Sequence, residues 1–145
     1  HSIDVYIPIQ NENNQQRFIV ISCLNSSFAQ FDAKTVGALS PKEAYRNIKV
    51  IPLHSDTNSS VYLIFIKQAV KKHLHAYHTE VVTVLEGSAR MYLGGETLKI
   101  AKGDHIIIPP NTAHAVITTS KKPLKVLSVQ SPQFLGKDRV FIEDK

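Results

Sequence analysis

The sequence has 145 residues, 43% of them hydrophobic, which suits one domain that buries a substantial core without the support of disulfides. Cys23 is the only cysteine, so no disulfide can form within the chain, and no apolar stretch approaches the roughly 20 residues needed to span a bilayer. The net charge of +5 comes from lysines that are not interleaved with stacking aromatic residues, so we expect neither a nucleic acid nor a membrane as a partner.

The first part of the chain is predicted to form two short strands separated by a polar loop. Ile3–Ile9 and Arg17–Leu24 are rich in β-branched residues, whereas residues 11–16 contain only Asn, Glu and Gln. Cys23 lies in the second apolar run, where we expect a small buried hydrophobic residue rather than a reactive thiol. Neither strand carries a recognisable chemical motif.

One short helix is predicted near residues 41–46. Ser40 is a suitable N-cap, Pro41 occupies the first helical position, and Glu43 stands at the third position of a capping box. We expect at most two turns, and a connecting element rather than part of the core.

From residue 48 onward, short strand-forming segments alternate with turn residues. The adjacent glycines Gly94–Gly95 can adopt the positive φ angles of a tight turn, which predicts a hairpin. Many short strands at regular spacing are typical of an antiparallel sandwich or barrel, and we expect the aliphatic runs to form its core. The predicted strands are Val50–Leu53, Val61–Ile66, Val81–Leu85, Ala89–Leu93, Thr97–Ile100, Ile106–Ile108, His114–Thr118 and Leu124–Val129.

Three histidines and one glutamate carry the pattern of a metal site. Because strand side chains alternate between faces, His73 and His75 point the same way and can share one ion. Glu80 follows after four residues, enough for a bend that returns its carboxylate to the same ion. His114 follows a proline-rich turn and begins a predicted strand, so it can supply a third imidazole to the same interior.

These residues lie in two segments that resemble the two motifs of the cupin superfamily. His73-x-His75-x4-Glu80-x6-Gly87 matches the first, and Gly103-x5-Pro109-x-Asn111-x2-His114-x3-Thr118 matches the second. The fifteen residues between them, 88–102, are similar in number to the spacer of compact microbial cupins. Lys67, Asn111 and Thr118 replace the family's usual Gly, Gly and Asn, and none of these positions binds metal in the family.

The resemblance implies an all-β fold, the double-stranded β-helix or cupin jelly-roll barrel, as a single domain over residues 1–145. Residues 1–47 are then N-terminal strands and the connector helix, 48–131 the barrel core, and 132–145 a C-terminal tail. By the same resemblance, His73, His75, Glu80 and His114 bind one divalent ion, which this donor set leaves open among Mn, Fe, Co, Ni, Cu and Zn. Cupins commonly pair through their sheets, so a homodimer is implied as well.

Three functions are consistent with the sequence. The first is a metal-dependent enzyme of dioxygenase, isomerase or lyase type that acts on a small oxygen-rich molecule. The second is a non-catalytic cupin that binds or senses a small-molecule ligand, and the third is a metal-free barrel similar to sugar epimerases, with a cavity histidine as general base. Whether the protein is an enzyme stays open at this stage. The compartment is equally open between the cytoplasm and an exported location, since His1 could follow a removed leader.

Several other polar residues have two interpretations each. His78 is expected either to orient a metal ligand through a hydrogen bond or to face solvent. His105 is expected to be structural rather than a ligand, because it adjoins an apolar strand. Four residues could contact a substrate or form barrel wall: Tyr62, Tyr77, Arg90 and Tyr92.

Overall fold

The computed structural model describes residues 4–10, 16–22 and 33–143, with side chains from Val36 onward, and they fall into two compact units. The first unit lies within His1–Ala33 and the second within Lys34–Lys145. The assignment of the whole chain to one domain stays a prediction. The elements in chain order are β1 (Asp4–Gln10), β2 (Gln16–Ser22), α1 (Ala33–Ala38), β3 (Ile48–Ser55), β4 (Ser60–Ile66), β5 (Ala69–His75), β6 (Thr79–Glu86), β7 (Ser88–Leu93), β8 (Glu96–Ala101), β9 (His105–Ile108), β10 (His114–Thr118), β11 (Leu124–Ser131) and β12 (Arg139–Phe141).

In the first unit, β1 and β2 form an antiparallel pair that runs from Asp4 opposite Ser22 to Gln10 opposite Gln16. The predicted N-terminal strands are therefore present. Cys23 lies outside the described residues, so its expected burial stays a prediction.

Two antiparallel five-stranded sheets form the second unit. Their strand orders are β12-β5-β10-β7-β8 and β3-β4-β11-β6-β9. Many neighbours in these sheets are distant in sequence, which is the arrangement of a jelly-roll barrel and confirms the predicted fold class. The hairpin expected at the paired glycines joins β7 to β8, and both Gly94 and Gly95 have positive φ.

Alternation along the strands explains where the core lies. Ile106 and Ile108 of β9 are buried in the cluster between the sheets, together with Val84, Met91 and Leu124. The expectation that every residue of the 106–108 run is core is wrong, because Ile107 points to the opposite face and is 59% exposed.

The helix predicted near residues 41–46 is wrong, since that segment has bends and no helix, and the helix of this region is α1 instead. Tertiary hydrogen bonds compete with a helix here, because Asn47 bonds the backbone of Gln68 and Ala69 at the turn between β4 and β5. Glu43 forms only an exposed pair with Lys49 at 3.6 Å. No helix in the described part of the chain has the length and apolar character required to cross a membrane.

A second, smaller core lies beneath α1, on the sheet face that points away from the barrel interior. Val36 packs there with Leu63 and Phe65. Lys125 is 4% exposed, and its Nζ donates hydrogen bonds to the carbonyl oxygens of Gly37 and Leu39 at 2.6 and 2.8 Å. A buried cation is tolerated here because it pairs with carbonyl oxygens at and just beyond the helix C-terminus.

Candidate metal centre

Strands β5, β6 and β10 bring the four predicted site residues together. His73 and His75 lie on β5, His114 begins β10 and pairs directly with His73, and Glu80 lies near the start of β6 in the opposite sheet. All four are buried, with exposed fractions between 2% and 7%. Burial of this much polar surface is unfavourable unless the groups are paired or bind a ligand.

The donor atoms converge on one carboxylate oxygen. Glu80 Oε2 lies 3.5 Å from His75 Nε2 and 3.4 Å from His114 Nε2. The rings of His73 and His114 have centroids 4.2 Å apart, and ligand atoms of His73, His75 and His114 all lie within 4.8 Å of one another. The spacing is that of side chains surrounding a common point.

Backbone hydrogen bonds set the protonation of two of the imidazoles. His73 Nδ1 donates to the carbonyl oxygen of Lys71 at 2.8 Å, and His114 Nδ1 donates to that of Thr112 at 3.0 Å. With the proton on Nδ1, the Nε2 lone pair of each ring is directed away from the backbone and is free to bind a metal.

The Glu80 carboxylate is held in its ionised form. Its Oε1 accepts a hydrogen bond from Ser128 Oγ at 2.5 Å and a longer one from Gln130 Nε2 at 3.4 Å. Burial by itself would raise the pKa of Glu80, but the facing imidazoles of His114 and His75 and the hydrogen bond from Ser128 outweigh burial and hold this pKa well below its usual range. An ionised carboxylate is the form that binds a cation.

The imidazole of His73 is held in its neutral form. Burial lowers the pKa of His73 to about 4, and electrostatic effects of His114 and Arg139 act in the same direction. Metal ligation requires neutral imidazole, so His73 is ready to bind a metal across the neutral and mildly acidic range.

The residues present fit a divalent metal ion. His75 Nε2 and His114 Nε2 are buried without a hydrogen-bond partner among the described residues, although unpaired buried nitrogens are rare in native proteins. Both atoms face Oε2 of Glu80, at 3.5 and 3.4 Å. Three imidazoles and one carboxylate form a donor set that suits first-row transition metals and zinc.

His75 has a different support from the other two imidazoles. Its Nδ1 faces Oδ1 of Asp138 at 3.6 Å, and neither atom has a closer partner among the described residues. The other oxygen of Asp138 accepts a hydrogen bond from His78 Nδ1, while His78 Nε2 donates to the carbonyl oxygen of Gln133 at 2.8 Å. His78 is 2% exposed, which excludes the solvent-facing interpretation.

His75, His78 and Asp138 also have donor atoms within 4.8 Å of one another. Both ring nitrogens of His78 already face acceptors, so this group is an internally paired network rather than an open ligand set. Burial raises the pKa of Asp138, but the His78 hydrogen bond and the Tyr77 backbone N–H outweigh burial and lower it. Asp138 is therefore a buried anion placed behind His75.

A cavity of about 120 Å³ adjoins the site inside the barrel. His73, Glu80 and His114 line it together with Gln130 and Arg139, and the other twelve lining residues are hydrophobic. Three lining residues are themselves exposed, Ile48 and Val50 on β3 and Arg139 on β12. Because β3 and β12 are edge strands of the two sheets, the cavity opens between these edges.

The remaining predicted polar residues lie away from this cavity. His105 is exposed and shares a hydrogen bond with Thr83 at 2.9 Å, so it belongs to neither group of potential ligands in the described region. None of the four residues considered for substrate contact lines the cavity: Tyr62, Tyr77, Arg90 and Tyr92.

Four residues of the site were missed by sequence reasoning. Ser128 and Gln130 share the inward face of β11 with Val126, and two polar residues in such a series are a usable signal of a buried polar site. Asp138 and Arg139 lie in the segment predicted to be a tail, where the sequence has no periodic pattern. Their roles depend on β12 pairing with β5, which places Arg139 opposite His75.

Known proteins are similar to this chain in the segment that contains the predicted ligands. The cupin domain family matches residues 63–130, which include all four predicted ligands. An uncharacterized protein of Aquifex aeolicus is 40% identical over 96 residues, which are 66% of this chain and 78% of that protein. The mannose-1-phosphate guanylyltransferase RfbM of Salmonella typhimurium is 33% identical over 90 residues, 61% of this chain but only 19% of the enzyme.

A solved structure shares the architecture. Pac13 of Streptomyces, a nucleoside dehydratase, superimposes with a TM-score of 0.61 over 70% of this chain and 84% of its own, at 17% sequence identity. At that identity the likeness shows the barrel fold alone.

Proposed function

The chain belongs to the cupin superfamily, and we propose that it is a metal-dependent enzyme acting on a small oxygen-containing molecule. His73, His75, Glu80 and His114 would hold one divalent transition-metal ion at the wall of the barrel cavity. One observation carries the proposal: two buried imidazole nitrogens without hydrogen-bond partners, His75 Nε2 and His114 Nε2, face the same ionised carboxylate oxygen.

A bound ion of this kind supplies Lewis-acid chemistry, polarising an oxygen atom of the substrate. The chain supplies the surroundings in which this polarisation is effective. The hydrophobic lining excludes water, which strengthens electrostatic interactions at the site. Ser128 and Gln130 orient the Glu80 carboxylate, so its charge needs no reorganisation when a substrate arrives.

One sequence relative supports an enzyme without specifying its reaction. RfbM is a mannose-1-phosphate guanylyltransferase, so a related segment occurs in a protein that processes a small metabolite. The chain spans about a fifth of RfbM, and the activity of that whole enzyme is not assigned to it.

A non-catalytic binding or sensing barrel is the second candidate, and one observation favours it. Among the residues that the structure describes, the only titratable groups lining the cavity are His73, Glu80, His114 and Arg139. The first three are the proposed ligands, and an arginine is a poor proton acceptor, so the cavity has no separate general base.

Turnover by the metal-loaded protein tests the proposal. A panel of hydroxy acids, oxo acids, enols and sugars is incubated with wild type, with His75→Ala and with His105→Ala, the control at an exposed strand histidine. We expect wild type and His105→Ala to convert the same panel member, and His75→Ala to be slower by at least about 100-fold, since second-sphere changes alone cost 10- to 100-fold. Undiminished conversion by metal-depleted His75→Ala would contradict the metal mechanism, and a ligand retained unchanged would favour the second candidate.

A further inference from the structure

The cavity separates its polar and hydrophobic surfaces. Twelve of its seventeen lining residues are hydrophobic, including Ile64, Val82 and Val116. The five polar ones lie on paired strands: Gln130 is opposite Glu80, His73 is opposite His114, and Arg139 is opposite His75. A ligand inside this barrel therefore meets polar groups at one end and hydrocarbon elsewhere.

The polar end is electropositive once a divalent ion is bound. Arg139 is the only cationic side chain lining the cavity in the described part of the chain. It stacks on Phe134, with the guanidinium carbon 5.3 Å from the ring centroid, and forms no ion pair with a described carboxylate. The two buried carboxylates, Glu80 in the cavity and Asp138 behind His75, carry two negative charges and do not balance the three positive charges of a divalent ion and a guanidinium, so the site favours an anionic ligand.

A second polar group of the cavity is also unpaired. Gln130 is 2% exposed and lines the cavity, and its Oε1 has no hydrogen-bond partner among the described residues. A buried amide oxygen left unpaired is unfavourable, so a ligand that donates a hydrogen bond stabilises it. A hydroxyl group meets this need without adding the positive charge of an amine, which the site would repel.

Building on the proposed function, we propose that the cavity binds a small 2-hydroxy carboxylate with an aliphatic body. Its carboxylate and hydroxyl lie at the metal end, near Arg139 and Gln130, and its hydrocarbon body contacts the aliphatic wall. The cavity volume of about 120 Å³ is small for a ligand pocket, which favours a small ligand body.

The same lining disfavours sugars and other polyols. Each hydroxyl placed against the aliphatic wall loses its hydrogen bonds to water and finds no replacement there. The oxygen atoms of the substrate are thus concentrated in its head group.

Three matched probes test this inference: α-hydroxyisovalerate, glycerate, and the diol in which a hydroxymethyl group replaces the carboxylate of the first. Glycerate keeps the head group and carries a polar body, whereas the diol keeps the body and lacks the charge. Each is titrated by NMR into metal-loaded protein and into EDTA-treated protein. We expect α-hydroxyisovalerate to bind at least about tenfold more tightly than either alternative, a difference of ~1.4 kcal/mol.

Two variants test which residues cause the preference for the acid over the diol and over glycerate. Arg139→Gln should reduce the preference for the acid over the diol and leave diol affinity unchanged, whereas Lys137→Gln, at an exposed residue outside the cavity lining, should change neither. Val82→Thr places a hydroxyl on the wall at similar volume and should reduce the preference over glycerate.

Equal affinity for α-hydroxyisovalerate and glycerate would overturn the inference that the ligand has an aliphatic body. Equal affinity for α-hydroxyisovalerate and the diol would overturn the inference that its head group is anionic. Absence of binding by all three probes to both protein forms would overturn the inference as a whole. Failure to retain metal is detected separately by elemental analysis, and the affinities of α-hydroxyisovalerate and glycerate for EDTA-treated protein then still decide whether the ligand has an aliphatic body.

Discussion

His75 is the one proposed ligand whose Nδ1 faces a charged side chain. His73 and His114 donate to backbone carbonyl oxygens, which changes of side chain leave in place. His75 instead faces Asp138 Oδ1 at 3.6 Å, and Asp138 is fixed by His78 on its other side. A carboxylate behind a metal-bound imidazole orients the ring and increases its electron donation.

We therefore expect Asp138→Asn to weaken metal binding by roughly 10- to 100-fold, because the amide removes the negative charge behind His75. Competition with a coloured chelator measures the dissociation constant. Asp56→Asn is the matched control, since Asp56 is an exposed carboxylate that accepts hydrogen bonds from Asn58 and Ser59. A dissociation constant that is unchanged in Asp138→Asn would show that Asp138 has no positioning role.

The four proposed ligands could be selected from sequence because metal ligation requires particular residue types at particular spacings. His73, His75 and Glu80 lie within eight residues of one another. Asp138 could not be selected, since it lies about 60 residues from its partner His78 and nothing in its neighbourhood marks it as buried. Its role arises from the path of the chain after β11, which only the tertiary structure specifies.

Gly87 joins β6 to β7 and constrains how closely two segments approach. Its φ is +84°, and a Cβ there would lie 2.9 Å from Ser120 Oγ and 3.0 Å from the carbonyl oxygen of Pro123. Gly95 has a φ of +109°, but a Cβ added there would meet no atom within 4 Å. A substitution at Gly95 therefore measures backbone strain without steric crowding.

Both Gly87→Ala and Gly95→Ala should lower the free energy of unfolding, by about 1–2 kcal/mol for the positive φ alone. Gly87→Ala should cost at least about 1 kcal/mol more, because the backbone of Pro123 and Leu124 must also move. Urea denaturation of the two metal-free variants measures the difference. An equal decrease in the free energy of unfolding of the two variants would mean that the backbone of Pro123 and Leu124 can move away from residue 87 at little cost.

Most strands could be predicted because alternation and turn residues are local signals. The helix could not, because Ser40, Pro41 and Glu43 satisfy a local rule, whereas Asn47 forms tertiary hydrogen bonds to the backbone of Gln68 and Ala69 that compete with a helix. Strand β12 was missed for a related reason. Its three residues are all exposed and carry no alternation, so its pairing with β5 is its only defining feature.

The stability of the whole metal-free protein should depend on pH through His73. Its pKa is about 4 in the folded state against about 6.5 when unfolded, so below pH 6.5 the unfolded chain binds more protons. Stability is then fully present above pH 6.5 and declines as pH falls toward 4, by up to about 2 kcal/mol after allowance for solvent screening.

Thermal unfolding of EDTA-treated protein between pH 4 and 7 measures this decline. His73→Gln should show a shallower dependence on pH, whereas His105→Gln should follow wild type because its side chain is exposed. A decline that is as steep in His73→Gln as in wild type would assign the effect to other groups.

The homodimer that the family resemblance implies stays a prediction.

Elemental analysis of protein purified without an affinity tag or added metal tests the central claim most directly. We expect about one equivalent of a transition metal per chain in wild type and in His105→Ala, and far less in Glu80→Gln and His114→Ala, which each remove one of the four donors. Equal metal content in all four proteins, or none in wild type even after incubation with Mn, Fe, Co, Ni, Cu and Zn salts, would contradict the proposed centre.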